Sequence, residues 1–449
     1  MSSLFLQGLV YSGLVIGVLA FLAWWLYFSP MKQLERIDAS ATVKSRDDIS
    51  NSPRLINTLA LLVGIGALLI CVGGYWDLSE HVVTGIVPGG EDFLWPPHLM
   101  IYAGFLLAFL VAVGGLSALA IPNLRAGVID PRRWVRRNPY VGATVLVAGY
   151  GIFSIPGDAI WHELYGIDLT AWSPPHIFIA VSSASLPIFA AGLLIGGGNR
   201  AVPATSGTET RGRRHLFSMF GIVEKLVRRP LGERFSRPDW RSFVNLFYLA
   251  MALCVFLIIG ASEWEMNEVT GYVARRPVWL YPTAIGVSAF FLSVLARKIA
   301  PGPWSATAFA LFYFGLRIAA TSFADIVSGA MPRLTLVFIL GAVLLDLTCQ
   351  LMDRFGFKPG DWQVRLAASG AFMVGYTIVA QPTVEFLFLK YLPHFTVPDH
   401  LLTALFVFLL SAALYPVPIA LGSWLSNSGR DKTPAQQDFA EAATVPVQG

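Results

Sequence analysis

The chain has 449 residues, 55% of them hydrophobic and only 13% charged, with a formal net charge of +4. A soluble domain carries about 25% charged residues, so the composition excludes an ordinary water-soluble globule. The three cysteines, Cys71, Cys254 and Cys349, lie in apolar runs without CxxC spacing. They indicate no disulfide framework and read as small buried apolar residues.

Apolar runs of about twenty residues can cross a bilayer core. Eleven are set apart by charged or Pro/Gly-rich breaks: near 7–28, 55–75, 98–121, 140–156, 176–196, 243–262, 278–296, 304–321, 334–352, 366–382 and 401–425. The first lacks a preceding basic region, so it reads as a span rather than a cleavable signal. The predicted fold class is an all-α polytopic membrane protein of about eleven transmembrane helices. Residues 1–54 hold the N-terminal span and a cytoplasmic loop, and 55–196 a first membrane half. A basic cytoplasmic loop follows at 197–242, then a second membrane half at 243–425 and a polar, disordered tail at 426–449.

Lys and Arg set the orientation, because cytoplasmic loops retain them. With the N-terminus outside and the C-terminus cytoplasmic, 27 of the 32 basic residues fall on the inner face and four on the outer face, Arg275, Arg276, Arg333 and Lys390. Arg317 is left inside a span. Within the long loop, 219–227 is amphipathic and reads as a surface helix on anionic lipid. These basic loops are what insertion itself requires, so no nucleic-acid partner is read from them. The expected location is a plasma membrane of the bacterial inner-membrane kind.

After the first span, the other ten form five hairpins opening outward. Each outer turn carries an acid: Asp77, Asp158, Glu265 (or Glu263), Asp325 and Glu385. The first two turns share a pattern, Asp77-x3-His81 before Pro96-Pro97-His98 and Asp158-x3-His162 before Pro174-Pro175-His176. The third turn echoes it without the His. The fifth carries His394 and His400. This is a repeated hairpin unit whose second half is degenerate.

Residues four apart on a helix share a face, so Asp77 and His81, or Asp158 and His162, can point at one ion. Pro-Pro fits a helix start, and a His in that first turn is kept neutral by the helix dipole. Each copy therefore offers one carboxylate and two imidazoles, a ligand set for copper, iron or zinc and a poor one for calcium or magnesium. The predicted metal ligands are Asp77, His81, His98, Asp158, His162 and His176. Trp76, Trp95, Trp161 and Trp172 read as interface anchors. Arg317 is expected to pair with Asp325 or another carboxylate, or to hold an anion, and Asp346 with a Ser, Thr or Arg. No nucleophile elbow, Walker loop or dinucleotide fingerprint occurs.

The stretch from Asp158 through His162 to Pro174-Pro175-His176 resembles a metal-binding segment of the copper membrane monooxygenases, the particulate methane and ammonia monooxygenase family. In one membrane polypeptide of that family, an Asp-x3-His and a later His hold copper near the periplasmic side of the bilayer. The resemblance covers about twenty residues in each copy. The family's copper-holding polypeptide has about half as many spans, so the resemblance would make this chain an extended or tandem relative. It implies copper at Asp158, His162 and His176, and by the repeat at Asp77, His81 and His98. It also implies a monooxygenase-like reaction on a small apolar substrate, with partner membrane subunits and an external electron donor. Other classes stay open at this point: a transporter with an Asp/His relay, a haem or electron-transfer protein, and a metal-handling membrane protein.

Overall fold

The computed structural model describes residues 17–18, 21–27, 29, 53–84, 94–125, 130–132, 135, 139–165, 174–201, 240–265, 277, 279–329, 338–388 and 396–427. Of helical residues 81–84, 162, 259–265 and 380–388 it describes the backbone alone. The amphipathic stretch 219–227, the tail and His394 lie outside the described residues.

Every element among the described residues is helical. They are α1 (Pro53–Thr84), α2 (Pro96–Arg125), α3 (Pro139–Tyr165), α4 (Pro174–Ala201), α5 (Trp240–Glu265), α6 (Leu280–Ile299), α7 (Ser305–Ser328), α8 (Ile339–Arg354), α9 (Trp362–Phe388), α10 (Val397–Leu414) and α11 (Pro416–Ser426). Residues 21–27 form a helical segment ahead of them. Proline opens each of α1 to α4, where its missing N–H costs nothing. Eight helices among the described residues are long and apolar enough to cross a membrane, and the chain is a helical membrane protein.

Each apolar run read from sequence contains a helix, with two differences. The run near 140–156 does not stop at Pro156; α3 continues through it to Tyr165. In a membrane helix the carbonyl freed by an interior Pro can be satisfied by neighbouring groups. The run near 401–425 is not one helix: α10 ends at Leu414 and α11 begins at Pro416. Pro416 and Pro418 each remove an intrahelical donor and crowd the preceding turn.

The contacts pair α1 with α2, α3 with α4, α5 with α6, α7 with α8 and α9 with α10, the five expected hairpins. Helices α1 to α4 close into a four-membered ring, and α5 packs on α1 and α4. Helix α6 is the centre of the second half and touches α5, α7, α9, α10 and α11. Helices α1 and α5 run parallel. The Tyr248 hydroxyl donates to the Ala60 carbonyl at 3.0 Å and the Tyr75 hydroxyl to that of Cys254 at 3.1 Å. The first and third hairpins therefore open at the same end of the bundle.

Close crossings hold the frame. A Cβ placed on Gly104 of α2 would sit 2.5 Å from the Gly66 carbonyl oxygen of α1, and one on Gly375 of α9 would sit 2.8 Å from the Gly341 nitrogen of α8. Small residues allow such approach, which drives helix association in lipid where the hydrophobic effect gives little. The apolar side chains left exposed, among them Leu99, Leu106 and Leu110 on α2, face outward as a lipid-contacting surface would.

Candidate metal centre

The outer turn of the first hairpin is built by the end of α1 and the start of α2. Asp77 lies within the last two turns of α1, and Pro96-Pro97 starts α2 so that His98 stands in its first turn. The His98 Nε2 and Asp77 Oδ1 atoms are 3.0 Å apart. The second hairpin repeats this: His176, in the first turn of α4, brings its Nε2 to 3.7 Å from Asp158 Oδ1 on α3. The four side chains are between 21% and 30% exposed, so an ion can reach them. Both contacts lie within ion-pair distance.

The structure thus brings together Asp77 with His98 and Asp158 with His176. His81 and His162 occupy helical backbone one turn beyond their acids, but their side chains lie outside the described residues. Among the described residues no group of three His, Cys, Asp or Glu gathers; each described cluster is a pair. Aromatic rings wall the first pair, with Trp95 5.5 Å and Tyr102 5.9 Å from the His98 ring. Trp76 donates to Glu80 Oε1 at 2.6 Å and packs edge-on to Phe323 of α7. His400 is in the first turn of α10, behind a capping box formed by Thr396 and Asp399, and stands apart from both pairs in sequence and hairpin.

Of the partners expected for Arg317, Asp325 is not the one it meets. No ion pair joins it to Asp325, which is exposed near the end of α7. Arg317 is 1% exposed, and its guanidinium lies 4.0 Å from the Tyr75 ring centroid. A desolvated cation over an aromatic face contributes up to about 2 kcal/mol. Tyr75 is two residues before Asp77 and hydrogen-bonded to α5, so Arg317 buttresses the end of α1 that carries Asp77. Sequence reasoning missed Tyr75 because the period of one helix does not say which neighbour it faces.

Asp346 finds the partners its residue type suggested. It accepts from Arg297 Nη1 and, at 2.8 Å each, from the Thr307 amide and hydroxyl. It therefore caps the start of α7 from α8 while neutralising a cation of α6, where the helix N-terminus favours an anion.

Comparison with protein-family models, with curated proteins and with solved structures finds no match for this chain.

Proposed function

We propose that this chain is a membrane metalloprotein that holds a transition metal at outward-facing Asp/His sites, copper before iron or zinc. The observation that carries the reading is the repeated cross-hairpin contact, Asp77 with His98 and Asp158 with His176. Donor atoms that each lie about 2.1 Å from a shared tetrahedral or octahedral ion are roughly 3.0–3.4 Å apart. The separations of 3.0 and 3.7 Å bracket that value. The donor chemistry also fits, since a carboxylate with imidazoles suits copper, iron and zinc. His81 and His162, one turn along the same helices, would complete each set.

The sidedness follows from charge: with 27 of 32 basic residues on the opposite face, the sites face outward, the N-terminus is outside and the membrane is a plasma membrane of the bacterial inner type. The resemblance to the copper membrane monooxygenases supports an O2-dependent oxygenation of a small apolar substrate, with partner membrane subunits and an external electron donor. When bound, the metal would supply the redox chemistry. The protein's own groups orient the ligands, wall the pocket with Trp95 and Tyr102, and keep Asp77 in place through Tyr75 and Arg317.

Metal analysis of the purified chain beside Asp158→Ala and His176→Ala variants tests this. A stoichiometric transition metal in the wild type that falls in both variants is expected; a metal-free wild type would sink the reading. The second reading, a transporter with an Asp/His relay, is favoured by the full burial of Arg317 within a span. Counter-ion-coupled uptake by a metal-free protein in vesicles would favour it.

A further inference from the structure

Two thiols of the first and third hairpins take no part in the Asp/His pairs. Helices α1 and α5 run parallel in a fixed register: a Cβ built on Gly64 meets the Tyr248 side chain and one built on Gly74 meets Ile258, both pairs 184 residues apart. Cys71 and Cys254 are 183 apart, and Cys71 lies two turns beyond Gly64 on the same face of α1. The register therefore sets Cys71 level with Cys254. Their sulfurs are within hydrogen-bonding reach of each other. Both are free thiols with 0% exposure.

A cation stands beside them. Tyr75 follows Cys71 by one turn on the same face of α1, and its hydroxyl donates to the Cys254 carbonyl at 3.1 Å. The Arg317 guanidinium lies 4.0 Å from the centroid of that ring, and its charge reaches Cys71. Tyr313, one turn before Arg317 on α7, is buried and within electrostatic reach of Tyr75. Helices α1, α5 and α7 touch pairwise. The two thiols, the two phenols and the guanidinium thus share one buried compartment between them.

The donor set selects the ligand. Thiolates take soft cations. A structural zinc site needs four ligands, and among the described residues no third His, Cys, Asp or Glu joins the pair. A two-coordinate d10 ion needs only the two sulfurs. As it binds, both S–H groups give up their protons, and a monovalent ion held by two thiolates carries one negative charge. Arg317 brings that local sum to zero, whereas a divalent ion between the thiolates would leave the positive charge unanswered by the site. A low-dielectric interior penalises charge that is not matched.

We propose that Cys71 and Cys254 form a two-coordinate thiolate site for a soft monovalent d10 cation, copper(I) above all, between α1 and α5. The site lies about 9 Å along α1 from Asp77 and does not depend on metal at the Asp/His pairs. The full chain, purified metal-free in detergent, is titrated anaerobically with copper(I) against bathocuproine disulfonate, which competes for the ion. One copper(I) per chain should resist the chelator, and its X-ray absorption spectrum should show a shell of sulfur alone. Cys71→Ser and Cys254→Ser should each abolish this binding, and Cys349→Ser should leave it unchanged. Arg317→Gln should weaken it about tenfold, and Arg317→Lys should retain most of it. Asp77→Asn and Asp158→Asn should keep the sulfur-bound copper, so the two kinds of site stand or fail separately. Should a serine variant fail to fold, the spectrum of the Cys349→Ser chain still reads the shell. Loss of all copper(I) to the chelator, a shell of nitrogen and oxygen, or binding undiminished in Cys71→Ser and Cys254→Ser each overturns the assignment.

Discussion

The two membrane halves use one architecture and place their polar residues at different depths. In the first half, the described ionisable pairs stand at the hairpin ends, Asp77 with His98 and Asp158 with His176, partly open to the surroundings. In the second, the polar groups sit deep: Asp346 is fully buried against Arg297 and Thr307. The helical frame is thus indifferent to depth, provided each buried charge is matched. An exposed pair can serve a ligand, whereas a buried one must first satisfy itself.

The largest expected contrast comes from breaking a buried pair. Asp346→Ala strands Arg297 and uncaps α7, and should cost about 3–5 kcal/mol, read as a fall in Tm. Replacing both partners with apolar residues should restore most of it. A next step tests the shared frame: Gly104→Val in the first half and Gly375→Val in the second should each cost about 1–3 kcal/mol through overpacking. A large cost in one half and none in the other, by thermal melting, would show that the halves are not held alike. Tyr75→Phe and Tyr376→Phe each delete a buried hydroxyl's bond to a carbonyl, to Cys254 and Pro282. About 1 kcal/mol apiece is expected. The smallest effect on stability belongs to the open pairs. Asp77→Asn and Asp158→Asn should each change it by no more than about 1 kcal/mol, yet each should remove about half of the bound metal. Unchanged metal content in both would separate the pairs from metal binding.

The membrane-spanning helices were legible because a bilayer allows few alternatives to a long apolar helix. Asp77, His98, Asp158 and His176 were legible as a pattern because the repeat displayed them twice, and the fold brings each acid to the His of the facing helix. The partner of Arg317 was not. Asp325, the acid on its own helix, is not the residue it meets, and its guanidinium lies over Tyr75 on another helix. Pro416 and Pro418 did signal the break between α10 and α11, but a hydropathy window averages over two prolines in an apolar run.

The short helix α11 has a consequence for how the protein is made. Its Trp424 carbonyl accepts from the Tyr140 hydroxyl of α3 at 3.0 Å, its Leu425 fits beside Gly192 of α4, and its Gly422 lies against Lys298 of α6. The last described helix is therefore a wedge between helices synthesised nearly three hundred residues earlier and the centre of the second half. During synthesis the early helices must wait in the bilayer with that groove open. Docking of α11, rather than insertion of any one span, is the event that locks the described bundle.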